Sequence, residues 1–488
     1  MSLTDEFGMA VIRGAIISVL VLATAPPARA LLLSHKGKLR WLAWMLLLVP
    51  YLTPFLLVGY GYSSFSLSLV HYPLGNEALY LALLAMKLMP VAALVLYFFP
   101  SPTSQEALHC YKLLQTRRSR IRSFLSNTGF HIRANKKALT VAFSVVFLFA
   151  LGEFEMASLL GINSWTVKLF DAQAGGLFLG ESFRLAFLPM IVEGALLAVV
   201  LAILYRSRHL PAVPARVSVR PAARIAAWIY LCTAFAIMVV IPAILVLRGT
   251  LAGFTALTEN FVLAKDIGAS ILFGLGAAAG AFLLSGWLSG RVASGVKHGR
   301  AFFWAFFFSA PGLFGALLLS LTMVFLFQRT PLNGLYDTPV PLLAALILLI
   351  LPYAVLLMFL LHTLRPSMEI HLAELLGRSP APSSRRRAYR LLWELKHRGR
   401  FWVAFLLFCW AYFDMTASSL LSPSDMTPVF VRLYNLMHYG RNAVLSASVC
   451  VAFLVPFVLL FLAMGLLYLW HSNIKWLRHL VSRVYSHG

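Results

Sequence analysis

The stretch that decides the fold is Phe154-Glu155-Met156, followed by Ser158-Leu159-Leu160. It returns as Phe413-Asp414-Met415, followed by Ser419-Leu420-Leu421. Other landmarks return at an offset of about 260 residues, the self-similarity to look for before anything else. Pro50 is echoed by Pro311, and the Leu-Met-Pro ending in Pro90 by the Ile-Leu-Pro ending in Pro352. Phe170 is echoed by Tyr434, and Ala186-Phe187-Leu188 by Ala452-Phe453-Leu454. Two halves of one architecture are how many transporters build a path for cargo.

The landmarks lie in apolar chain. The protein has 488 residues, 60% of them hydrophobic and 12% charged. Runs of about 20 apolar residues are long enough to cross a bilayer as helices. The sequence predicts eleven spans, near 8–30, 41–62, 78–99, 138–160, 184–205, 224–247, 267–290, 302–327, 339–362, 401–421 and 443–470. The fold class expected is therefore all-α and integral to a membrane.

The net charge of +24 points first to topology. Loops 29–40, 100–137, 206–224, 291–300, 365–400 and 471–488 hold 32 of the 41 basic residues, and the opposite loops hold 7. Basic loops stay inside. The N-terminus is then expected outside and the C-terminus on the cytoplasmic side. Anionic lipid is a secondary partner of those loops, and nucleic acid is not expected. No cleavable leader is visible in the first span. The four cysteines are far apart and imply neither a metal site nor a disulfide framework.

Pairing spans 1 to 5 with 7 to 11 gives two five-span repeats, and span 6 turns the second to run parallel with the first. The expected organisation is a first repeat at 1–205 and a linker at 206–223 containing Pro211, Pro214 and Pro221. An extra span with its outer loop follows at 224–264, then a second repeat with its tail at 265–488.

The long inside loops 100–137 and 365–400 occupy the same place in both repeats. The second reads His371-Leu372-Ala373-Glu374-Leu375-Leu376-Gly377. Here the chain resembles the permease subunits of bacterial ABC importers. Their cytoplasmic loop has Glu-Ala-Ala, three residues, then Gly, and forms a coupling helix seated in the ATPase. The resemblance extends through Phe405 to Leu421, Thr427, Val431 to Tyr434, and Gly440. The double-length layout is similar to fused permeases of the iron(III), thiamine and phosphonate type.

Residue by residue, Ala373 and Gly377 match the coupling pattern, with His371 in place of Glu. In the first loop Glu106 and Ala107 match, with Leu108 and Lys112 in place of Ala and Gly. Small residues suit close contact with a partner, and a Gly suits a chain leaving a helix. The same residues also suit ordinary helix formation and capping. The resemblance implies two cytoplasmic ABC ATPase subunits and an extracytoplasmic, periplasmic solute-binding protein as partners, and a bacterial cytoplasmic (inner) membrane as the place. No cofactor is expected in this chain, and ATP is used by the partner. The chain contains no Gly-x-x-x-x-Gly-Lys-Ser/Thr loop, so it is not expected to be an enzyme.

Several ionisable residues lie within spans, where charge is costly and faces a bundle interior or an aqueous cavity. Lys87 and Glu193 fall at similar depth and are expected to form an ion pair. Glu155 and Asp414 are read as equivalent positions near the outer ends of their spans. Either they flank a translocation path and favour a cationic cargo, iron(III) among the choices, or they bond to neighbouring helix ends. Two rival classes remain: a secondary transporter with parallel halves, and a membrane enzyme acting on lipid.

Overall fold

The computed structural model describes residues 3–35, 37–69, 71–99, 110–111, 129–130, 132–176, 178–207, 221–247, 250, 262–293, 298–329, 331–363, 367–438 and 442–485. Every regular element among them is helical, and none is a strand.

The chain opens with α1 (Leu3–Ser34), whose first turn carries Asp5 and Glu6, acids that suit a helix N-terminus. Then come α2 (Gly37–Leu52) and α3 (Phe55–Ser68), an apolar pair bent by 74°. The bend follows from Pro54, which has no N–H and forces Thr53 out of the helical region. Helix α4 (Pro73–Phe98) starts on a proline, where the missing N–H costs nothing. After it come α5 (Lys136–Leu151), the short α6 (Glu155–Leu159), α7 (Trp165–Ala174), α8 (Leu179–Ser207) and α9 (Pro221–Phe235). A π turn at Ala236–Val240 continues α9.

Helix α10 (Val262–Ala293) is followed by α11 (His298–Ser309) and α12 (Gly315–Phe327), separated by a 3-10 turn at Ala310–Phe314. Gly315 closes that turn at φ 76°, a conformation that a side chain resists. Then come α13 (Pro339–Thr363), α14 (Ser367–Gly377), α15 (Pro382–Leu392), α16 (Arg398–Tyr412), α17 (Thr416–Leu421), α18 (Val429–His438) and α19 (Asn442–Tyr485).

Eight of these helices, with their continuations, are long and apolar enough to cross a membrane, and the bent α2–α3 pair makes a ninth if it is one span. Several such helices make this a multi-pass membrane protein. The two remaining stretches that the sequence reads as spans, 138–160 and 401–421, are built otherwise. Their helices α5 and α16 stop at Leu151 and Tyr412, and the chain turns into the short α6 and α17.

Burial ranks the helices. The apolar windows of α4 and α13 are 72% and 61% buried, whereas those of α9 and α19 are 28% and 17% buried. So α4 and α13 are central, and α9 and α19 show apolar side chains such as Ile225, Ile229, Val458 and Phe461 outward. Helix α1 packs on α4 and α5, and α10 packs on α13 and α16. Close approach of helices in lipid depends on small residues. A Cβ on Gly280 would stand 2.6 Å from Ile347, and one on Gly274 would stand 3.0 Å from Phe408. Linker residues 208–220 lie outside the described residues.

Candidate functional site

The intramembrane charges gather where α5 and α16 end. Glu153 follows the last turn of α5, and its carboxylate accepts from the N–H groups of Met156 (2.5 Å) and Ala157 (3.1 Å) and from the Tyr80 hydroxyl (3.0 Å). It thereby caps the exposed donors of α6. Asp414 does the same for α17, accepting from the Ser418 N–H at 2.9 Å. The local counterpart of Asp414 is therefore Glu153. The pairing of Glu155 with Asp414 aligned the flanking Phe and Met, but capping geometry counts from the helix start, and Glu155 is the first residue of α6.

Glu155 instead reaches across to the other half of the chain. Its carboxylate takes a hydrogen bond from the Met415 backbone and lies in the field of Asp414, Glu153 and Lys87. The corner around it is tightly tied. Trp165 Nε1 donates to the Leu151 carbonyl (2.8 Å), and Thr166 Oγ1 donates to the Glu153 carbonyl (2.9 Å).

These groups border a cavity of about 180 Å³. Glu153, Glu155 and Asp414 line it, with Thr166 and Thr416 beside them. Half of its remaining lining is aromatic, including Phe55, Phe149, Trp165, Phe314 and Tyr353 from both halves of the chain, and the other half is aliphatic or glycine.

Lys87 is buried on α4, but it forms no ion pair with Glu193; the ion pairs among the described residues are others. Its ammonium donates to the carbonyls of Tyr51 (2.9 Å) and Thr53, and it sits 4.5 Å from the Phe55 ring centroid. The reason is the Pro54 break: it strips the last carbonyls of α2 of their helical partners, and a cation satisfies them. Glu193 is buried beside two residues of the cavity wall, with Oε1 3.8 Å from where a Cβ on Gly152 would stand and within the field of Tyr353.

Helices α14 and α15 pack on each other as a hairpin. Ala373 and Ala388 are fully buried between them, and a Cβ on Gly377 would meet Ala388 at 3.8 Å. The small residues read as a partner contact are thus spent inside the hairpin. Gly377 ends α14 without a left-handed turn; the positive-φ glycines among the described residues are Gly37, Gly161, Gly176 and Gly315. What α14 shows outward is Met368, Leu372, Leu375 and Leu376, one apolar stripe at helical spacing, with His371 and Glu374 exposed beside it. Lys396 donates to Glu374 at 3.1 Å, and that bond holds the Glu374 carboxyl below its ordinary pKa. Glu106, Ala107 and Lys112 lie outside the described residues.

Sequence reasoning missed two matched ion pairs. Lys168 of α7 lies 3.8 Å from Glu6 of α1, and Arg432 of α18 lies 2.9 Å from Asp266 of α10. It also missed Arg13, which pairs with Glu77 and donates to the Asn163 carbonyl at 2.5 Å. The recurrence of an acid near each half's start and a base after each short corner helix was the available signal. No protein-family profile, curated protein or solved structure matches this chain.

Proposed function

We propose that this chain is the membrane-spanning permease of an ATP-driven importer of the ABC kind. Residues 1–205 and 265–488 are its two parallel five-span halves. The linker 206–223 and the extra crossing within 224–264 bring them into the same orientation. The N-terminus is outside and the C-terminus is cytoplasmic. Solute arrives from an extracytoplasmic binding protein and passes between the halves. Two separate ATPase subunits drive the passage from the cytoplasmic side, one against each long inside loop.

The observation that carries this reading is the twin strap. The acid of α1 reaches the base of α7, and the acid of α10 reaches the base of α18, at an offset of about 260 residues. Chance duplication of one sequence motif does not produce the same long-range pair twice. Three further matches support it. Helices α2 and α3 break at a proline as α11 and α12 do, α4 and α13 both carry a mid-helix proline, and a carboxylate caps each of α6 and α17. The outward apolar stripe of α14 supplies a docking face in the second inside loop.

The experiment is purification of the full chain from its own membranes after mild crosslinking, with photolabelling by an azido-ATP. A nucleotide-labelled subunit that copurifies at about two per permease, as a two-fold assembly requires, is the expected result. A folded, transport-competent chain that carries no labelled partner would overturn the reading in favour of a secondary transporter.

A further inference from the structure

The cavity between the halves has a composition of its own. Its acids outnumber the neighbouring base three to one: Glu153, Glu155 and Asp414 against Lys87. Buried carboxyls that ionise beside a single base need a further cation to offset the cost of their charge. The wall also carries aromatic rings, a residue type whose electron-rich faces attract cations. One of those rings already does so. Phe55 lines the cavity and carries the Lys87 ammonium 4.5 Å from its centroid, while backbone carbonyls take the ammonium's N–H groups. Lys87 is thus an internal example of the chemistry that this wall accepts. Glu155 and Asp414 line the same cavity of about 180 Å³ as Phe314 and Tyr353.

The carboxylates are also held apart. Glu153 is committed to the start of α6, Asp414 to the start of α17, and Glu155 to the Met415 backbone. Among the described residues no group of three or more His, Cys, Asp or Glu is gathered as a metal cage would be. A cation that spreads its charge over carbon fits spaced acids and ring faces better than a hard metal ion does.

We infer that this cavity is a binding site for a small organic ammonium ion, with Glu155 and Asp414 as its counter-ions and Phe314 and Tyr353 as its aromatic wall. The inference rests on the reading that solute passes between the halves, and it names the class of solute. Binding needs no ATPase, so its test is separate from copurification.

The full chain in lipid nanodiscs is titrated with radiolabelled tetramethylammonium, with tert-butanol as a neutral competitor of similar shape and iron(III) citrate as a metal competitor. Saturable binding is expected. Glu155→Gln, Asp414→Asn and Phe314→Leu should each weaken it by about tenfold, the range of a desolvated cation contact. Melting temperatures of the variants establish that they fold, and the near-isosteric amides guard against loss of structure. No saturable binding overturns the inference. So does binding unchanged in both folded amide variants, equal competition by tert-butanol, or displacement by iron(III) citrate.

Discussion

At Lys87 a single charge closes a backbone break. Removing the ammonium leaves the Tyr51 and Thr53 carbonyls buried without a donor, and each orphaned group costs about 1–3 kcal/mol. Lys87→Met should therefore lower the melting temperature of the purified chain markedly, whereas Glu193→Gln should leave Lys87's contacts untouched. Equal loss from both changes would restore the ion pair. Glu374 gives a pH dependence of the opposite character. Its carboxyl lies below its ordinary pKa because Lys396 bonds to it. A depressed folded pKa stabilises above the unfolded value and loses that effect as pH falls through the folded one. The tie of α14 to the π turn Trp393–His397 that follows α15 should accordingly loosen on acidification through that lowered value, by a small amount since Glu374 is solvent-exposed. Hydrogen exchange of the hairpin with pH, against Lys396→Met, checks this. A flat profile in the parent would refute it.

Among the elements, glycine decides how closely helices meet. Gly312 lies in the turn between α11 and α12, and a Cβ there would stand 2.3 Å from the Leu348 carbonyl and 2.7 Å from Pro352. Backbone and a ring cannot swing aside, so Gly312→Ala should cost at least the 1–3 kcal/mol typical of overpacking, about that much or more. Gly377→Ala meets only ordinary contact at 3.8 Å and should be silent in melting and expression. Gly377→Arg, in contrast, places a long cation against Ala388 and should splay α14 from α15. The two halves' breaks are thus secured differently, by a lysine on α4 in one and by a glycine against α13 in the other. The sequence reads as unbroken spans at 41–62 and 302–327, and proline alone does not mark the breaks, because Pro50, Pro90 and Pro352 lie inside helices while Pro54 and Pro311 lie at interruptions. The means of securing the breaks was not legible either, because it comes from a helix far along the chain.

Across the whole molecule, the twin straps tie the outermost short helix of each half to that half's first helix. Arg432→Gln should raise hydrogen exchange throughout α18, since it leaves Asp266, 5% exposed, without its cation. The double exchange Asp266→Arg with Arg432→Asp should recover part of the protection. No change in α18 in the single variant would show that the strap carries no load. Positions of basic residues argue the orientation independently: cysteines at Ser2 and Ser486 should label from outside and only after lysis, respectively. What the sequence alone determined is the all-helical membrane class, because apolar run length is a local property; the interruptions within spans 41–62, 138–160, 302–327 and 401–421 emerged only from the structure. Tertiary structure alone decided which group each buried charge meets. Lys87 meets carbonyls and not Glu193, Glu153 and not Glu155 is the capping counterpart of Asp414, and Ala373 and Gly377 lie against Ala388. Those partners depend on which helices share a depth and a face, which is a property of the packed bundle and not of any local stretch of sequence.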